Sequence, residues 1–246
     1  SGKAMERNEL IFLNILKTAL AGQLWDPLHS LSDDDWNAIF HLARVHKVLP
    51  LVFEATHHLP QTNRVRGSVR QQVLGQTLKT CDFLALNRHL REKGLRPIVV
   101  KGIICRNLYP QPDLRISSDE DILLEREDFA LCDEILLSEG FVRDELSLEG
   151  GVAQLPREIP YRNYETGTFI ELHFELFARD SGAYGHLNDE FSHVFDQSVR
   201  QKIKGVEVWT LAPTEHMFYL ICHAFKHFLH GGFGIRMICD MVMMAE

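Results

Sequence analysis

Asp119 and Asp121 stand two residues apart at the head of the apolar run 122–124, and a lysine-glycine pair, Lys101-Gly102, closes an earlier apolar run, 98–100. If the later run is a strand, its period of two puts both carboxylates on one face. Two like charges that close disfavour each other's ionised form unless a cation lies between them, so the pair suits a divalent metal. A third carboxylate, Glu171, lies in 168–176, where Ile170, Leu172, Phe174 and Leu176 alternate with Phe169, Glu171, His173 and Glu175. One face of such a strand is apolar; the other presents two carboxylates and an imidazole. Hard oxygen donors of this kind suit Mg²⁺ or Mn²⁺, which keep waters and take further ligands from substrate phosphates. The Lys101-Gly102 turn could in addition bring backbone N–H groups, and the N-terminus of a short helix starting at Gly102, to a phosphate.

A second group of chemistry-bearing residues follows Pro213. His216, His223, His227 and His230 lie within about 60° of one another at 100° per residue on a helix. His223, Lys226 and His227 read as the polar wall of a cleft. An i, i+4 zinc pair, His223 and His227 with a ligand from elsewhere, is a second reading, and packing histidines a third. No HExxH motif is present, which argues against a zincin. Leu124 stands where an EF-hand loop needs glycine, and no GxxxxGK[ST] loop or strand-linked GxGxxG occurs.

The elements that must carry these residues alternate in type. Helices are expected over 10–20, from Ser32 with Trp36, Ile39, Phe40 and Ala43 on one face, from Pro50 to Leu59, and over 64–93 with Gly94 as the stop. His41, His46, His57 and His58 in this stretch read as surface or packing residues. Strands are expected at 98–100, 119–124, 141–145, 160–165, 168–176 and 206–210. Helices are expected at 102–108 and 128–139, and again from Pro213 onward, with 231–234 as a flexible joint and a break at Gly150-Gly151. This is an α+β pattern: an N-terminal helical region over 1–95, a core over 96–211 and a C-terminal helical region over 212–246.

The 246 residues suffice for a sizeable core, and 45% hydrophobic with 24% charged residues is the balance of a soluble globular protein. A net charge of −8 argues against a surface built to grip a long nucleic acid, though not against a local basic patch. No apolar run approaches the ~20 residues of a membrane span. The five cysteines are scattered without a CxxC pair, as in a reduced, cytoplasmic protein. Ser1-Gly2 reads as an expression remnant, and the natural protein is expected to continue past Glu246, where an apolar helical pattern runs on without a cap.

Val100-Lys101-Gly102, Leu108-Tyr109-Pro110, Arg115, Asp119-Glu120-Asp121-Ile122-Leu123-Leu124 and Glu171-Leu172-His173-Phe174 form one series. Pro213-Thr214-Glu215-His216, His223, Lys226-His227, Arg236 and Asp240 continue it. Together they resemble the bacterial uncharacterised nucleotidyltransferase family, within the polymerase-β-like nucleotidyltransferase superfamily, from about Trp36 to Asp240. The resemblance implies a polymerase-β-like core, a mixed sheet with flanking helices. It implies transfer of a nucleoside monophosphate from a triphosphate, with ATP the expected one, to a hydroxyl of a small molecule or protein. On it, Asp119, Asp121 and Glu171 hold one or two Mg²⁺ or Mn²⁺ ions, or Glu171 serves as base on the acceptor hydroxyl. Lys101, Gly102, Arg115, His173, His223, Lys226 and His227 would meet the nucleotide and its phosphates. Arg115 is equally readable as a salt-bridge partner of one of these aspartates. The turn carries Ile103 where the superfamily pattern has serine, and Glu171 stands where aspartate is more usual. A nucleotidyltransferase-like domain that binds nucleotide or a partner without catalysis therefore stays open, as does a metal-dependent phosphohydrolase.

Overall fold

The computed structural model describes residues 6–146 and 151–246; the Ser1-Gly2 start and Gly150 of the expected break lie outside them. In chain order the elements are α1 (Arg7–Leu20), α2 (Asp33–Val45), α3 (Leu49–Thr56), α4 (Arg66–Glu92), β1 (Ile98–Val100), α5 (Gly102–Arg106) and β2 (Glu120–Leu123). They continue with α6 (Phe129–Ser138), β3 (Glu158–Asn163), β4 (Thr168–His173), α7 (Val194–Gln197), β5 (Val199–Ile203), β6 (Val206–Thr210), α8 (Pro213–Leu229) and α9 (Ile235–Ala245). Among the described residues, no helix is long and apolar enough to cross a membrane. The architecture is α+β, with a mixed sheet and flanking helices.

Contacts divide the chain into two compact units, Ser1–Thr77 with Arg106–Ile116 and Gly232–Glu246, and Leu78–Cys105 with Ser117–Gly231. Each unit draws on stretches far apart in the chain, because a packed core recruits segments that periodicity alone does not link. In the first unit, Ser32 caps α2: its hydroxyl accepts the Asp35 N–H at 3.1 Å, and the Asp35 carboxylate accepts the Ser32 N–H at 2.9 Å. The faces Phe12/Ile15/Leu16, Trp36/Ile39/Phe40/Ala43 and Leu49/Val52 form one core with Tyr109, Leu114, Cys239 and Met243. Within it the Arg115 guanidinium forks onto Asp240 (Nε–Oδ1 3.0 Å, Nη2–Oδ2 2.5 Å), and Tyr109 donates its O–H to Asp240 Oδ1 at 2.8 Å. A buried ion pair is tolerated when its lone pairs and protons are satisfied in this way.

The second unit is built on a six-stranded sheet in the order β3-β4-β2-β1-β6-β5. β1 runs antiparallel to β2 and parallel to β6, and β2 runs parallel to β4. One face packs Val99, Ile122, Ile170 and Leu172 against Phe83, Leu90, Cys132 and Leu136. The other packs Ile98, Val100 and Leu123 with Phe177, Tyr219 and Cys222. Three details differ from expectation. The stretch 141–145 contributes only an isolated bridge between Val142 and Arg162. β4 ends at His173, so Phe174 stays with Ile170 and Leu172 while Leu176 joins the opposite cluster. The sequence reading lacked β5, an edge strand joined to β6 through Lys204-Gly205, whose φ angles of 46° and 84° make the reversal. Gln201 interrupts its apolar face, and Arg200 and Lys202 charge its exposed face in the manner of a protected edge.

One polar cluster ties α6 to β3. Asp133 is gripped by Arg143 (Nε–Oδ1 2.5 Å, Nη2–Oδ2 2.8 Å) and receives the Tyr161 O–H at 2.7 Å. Burial would raise the Asp133 carboxyl, but the hydrogen bonds from Arg143 and Tyr161 outweigh it and hold the group below its ordinary 3.8. A carboxyl depressed on folding adds stability that is full above its unfolded pKa and is lost as pH falls through the folded value. Urea midpoints of the protein and of Asp133→Asn are therefore expected to differ by a constant amount above about pH 5 and to converge below about pH 4. A gap independent of pH would show that the ionised Asp133 adds nothing.

Candidate active site

Register alone brings the chemistry together. Val100, the last residue of β1, lies opposite Asp121, and Asp121 lies opposite Glu171. Leu123 lies opposite His173 one pleat further on, so Asp121, Glu171 and His173 share a sheet face by the period of two. Each of these three residues offers a ligand atom within 4.8 Å of the other two, the group of metal-binding geometry found among the described residues. His173 Nε2 lies 3.0 Å from Asp121 Oδ1 and 3.4 Å from Glu171 Oε2, while its Nδ1 lies 3.5 Å from Glu158 Oε2 on β3.

Lys101 closes the cluster from the end of β1. Its backbone is left-handed, φ 53°, an uncommon conformation for a residue with a side chain. Its N–H donates to His216 Nε2 at 3.0 Å, which requires the His216 proton on Nδ1. Its ammonium lies 3.0 Å from Asp121 Oδ1 and 3.4 Å from His223 Nε2, and His223 Nε2 lies 3.1 Å from His227 Nε2. Burial works against the Lys101 charge, but Asp121, Tyr219 and Asp119 together outweigh it and leave the ammonium more basic than usual. Burial would likewise raise the Asp121 carboxyl; Lys101 and His173 reverse this and hold it well below the carboxylate range. His173 is disfavoured as a cation by burial, yet its bonds to Asp121 and Glu171 raise its pKa above the ordinary value. Burial, then Lys101, push His223 far down, so it faces the ammonium as a neutral acceptor.

The remaining expected residues fall as follows. Asp119 precedes β2, so the strand pleat does not orient it; its carboxylate accepts the Ser118 hydroxyl at 2.6 Å and it stays outside the three-donor cluster while acting on Lys101. The turn expected to offer N–H groups to a phosphate is already used in part. Ile103 donates its N–H to Glu120 Oε2 at 2.8 Å, and that oxygen lies 2.0 Å from where a Cβ on Gly102 would be. Arg115 belongs to the first unit, where its guanidinium pairs with Asp240. On α8, His216 and His223 turn inward, His227 follows His223, and Lys226 is partly buried; His230 Nε2 instead meets the Tyr184 hydroxyl at 3.0 Å.

Residues 32–246 match the sequence profile of the uncharacterised nucleotidyltransferase family. The chain belongs to this family. No curated protein matches it significantly. Among solved structures it is similar to the crystal structure of an antigenic nucleotidyltransferase-like protein from Paracoccidioides brasiliensis. That similarity is 19% identity and a TM-score of 0.42, over 68% of this chain and 74% of that one.

The donor set fits the divalent cation expected of a nucleotidyltransferase. Two carboxylates and one imidazole converge within 4.8 Å, with Asp121 and His173 buried and Glu171 half-buried. The imidazole departs from the all-oxygen donor set that Mg²⁺ prefers. Sequence reasoning missed Glu120 and Glu158. Glu120 carries the opposite strand parity to Asp121, so it turns toward Gly102, and its position between two aspartates was the available signal.

Proposed function

We propose that this nucleotidyltransferase family member moves a nucleoside monophosphate from a triphosphate, ATP or another, to a hydroxyl of a small molecule or protein with the aid of Mg²⁺ or Mn²⁺. The observation that carries this reading is the convergence of Asp121, Glu171 and His173 under Lys101. Asp121, Glu171 and His173 are the residues that would hold the cation, with Asp119 adding negative charge at the edge of the cluster. A cation bound there supplies Lewis-acid polarisation of the α-phosphate.

This chain's own side chains supply the rest. Glu171, whose side chain is 42% exposed against 4% for Asp121, is the carboxylate an acceptor can reach. It takes the hydroxyl proton as the oxygen–phosphorus bond forms, while the bond from the α-phosphorus to the bridging oxygen breaks and pyrophosphate leaves. The Lys101 ammonium, held in place at both its backbone and its side chain, faces the developing negative charge. His223, Lys226 and His227 line the same wall.

The test is incubation with each α-labelled nucleoside triphosphate, a hydroxyl-rich acceptor extract and Mg²⁺ or Mn²⁺. Label transfer with equimolar pyrophosphate release is expected, abolished by chelation. Triphosphate binding with no transfer to any acceptor would favour the binding-only domain, and orthophosphate release without transfer would favour the hydrolase.

A further inference from the structure

The polyphosphate chain of a triphosphate needs cationic donors, and the Lys101-Gly102-Ile103 turn supplies fewer than its sequence promises, because Glu120 holds the Ile103 N–H and fills the space above Gly102. A different place in the second unit has the opposite character. Arg157 directly precedes β3, and its carbonyl accepts the Phe174 N–H at 2.9 Å, which fixes its backbone beside the end of β4. Its Nη2 pairs with the Glu158 carboxylate, whose Oε2 lies 3.5 Å from His173 Nδ1. A single line of alternating charge thus runs Arg157, Glu158, His173, Asp121, Lys101.

The other arm of the guanidinium, Nη1, is buried and has no hydrogen-bond partner. A guanidinium carries donors in a rigid fork that matches phosphate oxygens two at a time, so a buried, unused arm is a donor set aside for a ligand. Of the charges acting on Lys226, that of Arg157 is the largest, and this like charge, after burial, lowers the Lys226 pKa. Glu158 and Glu171 offset part of that charge, and the Nη1 arm, which neither carboxylate engages, is the donor left for an added anion.

We propose that Arg157 and Lys226 form the polyphosphate subsite of this centre and hold the pyrophosphate end of the triphosphate, a task the Lys101-Gly102-Ile103 turn does not perform. This rests on the nucleotidyl-transfer reading for its substrate, but the subsite itself recognises a linear polyphosphate whether or not transfer follows. Arg157 binds the leaving group and takes no proton. Lys226 adds a point charge beside the fork.

Calorimetric titration of the full chain with inorganic tripolyphosphate tests it, alongside KM for the labelled triphosphate. Wild-type protein is expected to bind tripolyphosphate, more weakly as salt is raised. Arg157→Gln should weaken that binding by about tenfold or more and raise KM by a similar factor with kcat little changed. Arg157→Lys should fall between the two, since it keeps the charge and loses the fork. Arg200→Gln, on β5, should match wild type. Thermal melts establish that each variant is folded. Tripolyphosphate binding by folded Arg157→Gln and Arg157→Lys at wild-type affinity would overturn the subsite, as would absence of binding to wild type at millimolar concentration. Loss of binding in Arg157→Gln without label transfer by any form sinks nucleotidyl transfer and leaves the subsite standing. Active transfer with unchanged KM in Arg157→Gln does the reverse.

Discussion

Asp121→Asn is expected to lower nucleotidyl transfer by roughly a thousandfold or more, the scale set by removing a preorganised charge from a reacting centre. Asp121 contacts Lys101 at 3.0 Å and His173 at 3.0 Å through the same oxygen, and its register with Glu171 fixes where the third donor falls. Asparagine keeps the shape and removes the charge, so the cation-binding set is reduced to Glu171 and His173. The same change leaves the Lys101 ammonium largely buried with only the smaller influences of Tyr219 and Asp119 to offset it. Truncating one partner of a buried pair costs about 3–5 kcal/mol, and Asp119 should keep this case at the low end. The two effects separate in the double variant Asp121→Asn/Lys101→Met. Removing the orphaned ammonium should restore most of the melting temperature and none of the activity. Transfer by folded Asp121→Asn within tenfold of wild type would remove Asp121 from the chemistry.

The parts of this centre that could be read in the sequence are those set by a single period. Alternation within each short strand gives Asp121 a face on one and sets Glu171 beside His173 on the other, but that these two strands are neighbours follows only from the sheet order. Asp119 shows where that reasoning stops: β2 begins at Glu120, and a residue outside the ladder has no pleat to orient it. Helix starts were legible where a cap marks them, as at Ser32, since capping is a local interaction between residues three apart. Arg115 was not legible. Its partner Asp240 lies 125 residues away, and spacing along the chain gives no way to find a partner at that distance. The histidine stripe divides along the same line. Its common face followed from helical geometry, but only the tertiary contacts make His216 a backbone acceptor for Lys101 and turn His230 away to Tyr184.

Gly102→Ala is expected to lower both the stability of the second unit and nucleotidyl transfer. Gly102 has φ 32°, and an added Cβ would come within 2.0 Å of Glu120 Oε2. The offending atom is the tip of a side chain, which on an open surface would swing aside at little cost. Here it is buried and accepts the Ile103 N–H at 2.8 Å, so moving it breaks a charge-assisted bond inside the protein. The left-handed backbone adds roughly 1–2 kcal/mol and the lost bond roughly 1.5–3 kcal/mol, about 3–5 kcal/mol in all. Lys101 is the preceding residue, and a shifted turn carries its ammonium away from Asp121, so transfer should fall with stability. A double-mutant cycle isolates the cause. If the clash with Glu120 dominates, Gly102→Ala should cost only about 1–2 kcal/mol when added to Glu120→Ala, because the oxygen it strikes is already gone. Strictly additive costs would mean that the backbone conformation, not the carboxylate packed under the turn, is what glycine serves at this position.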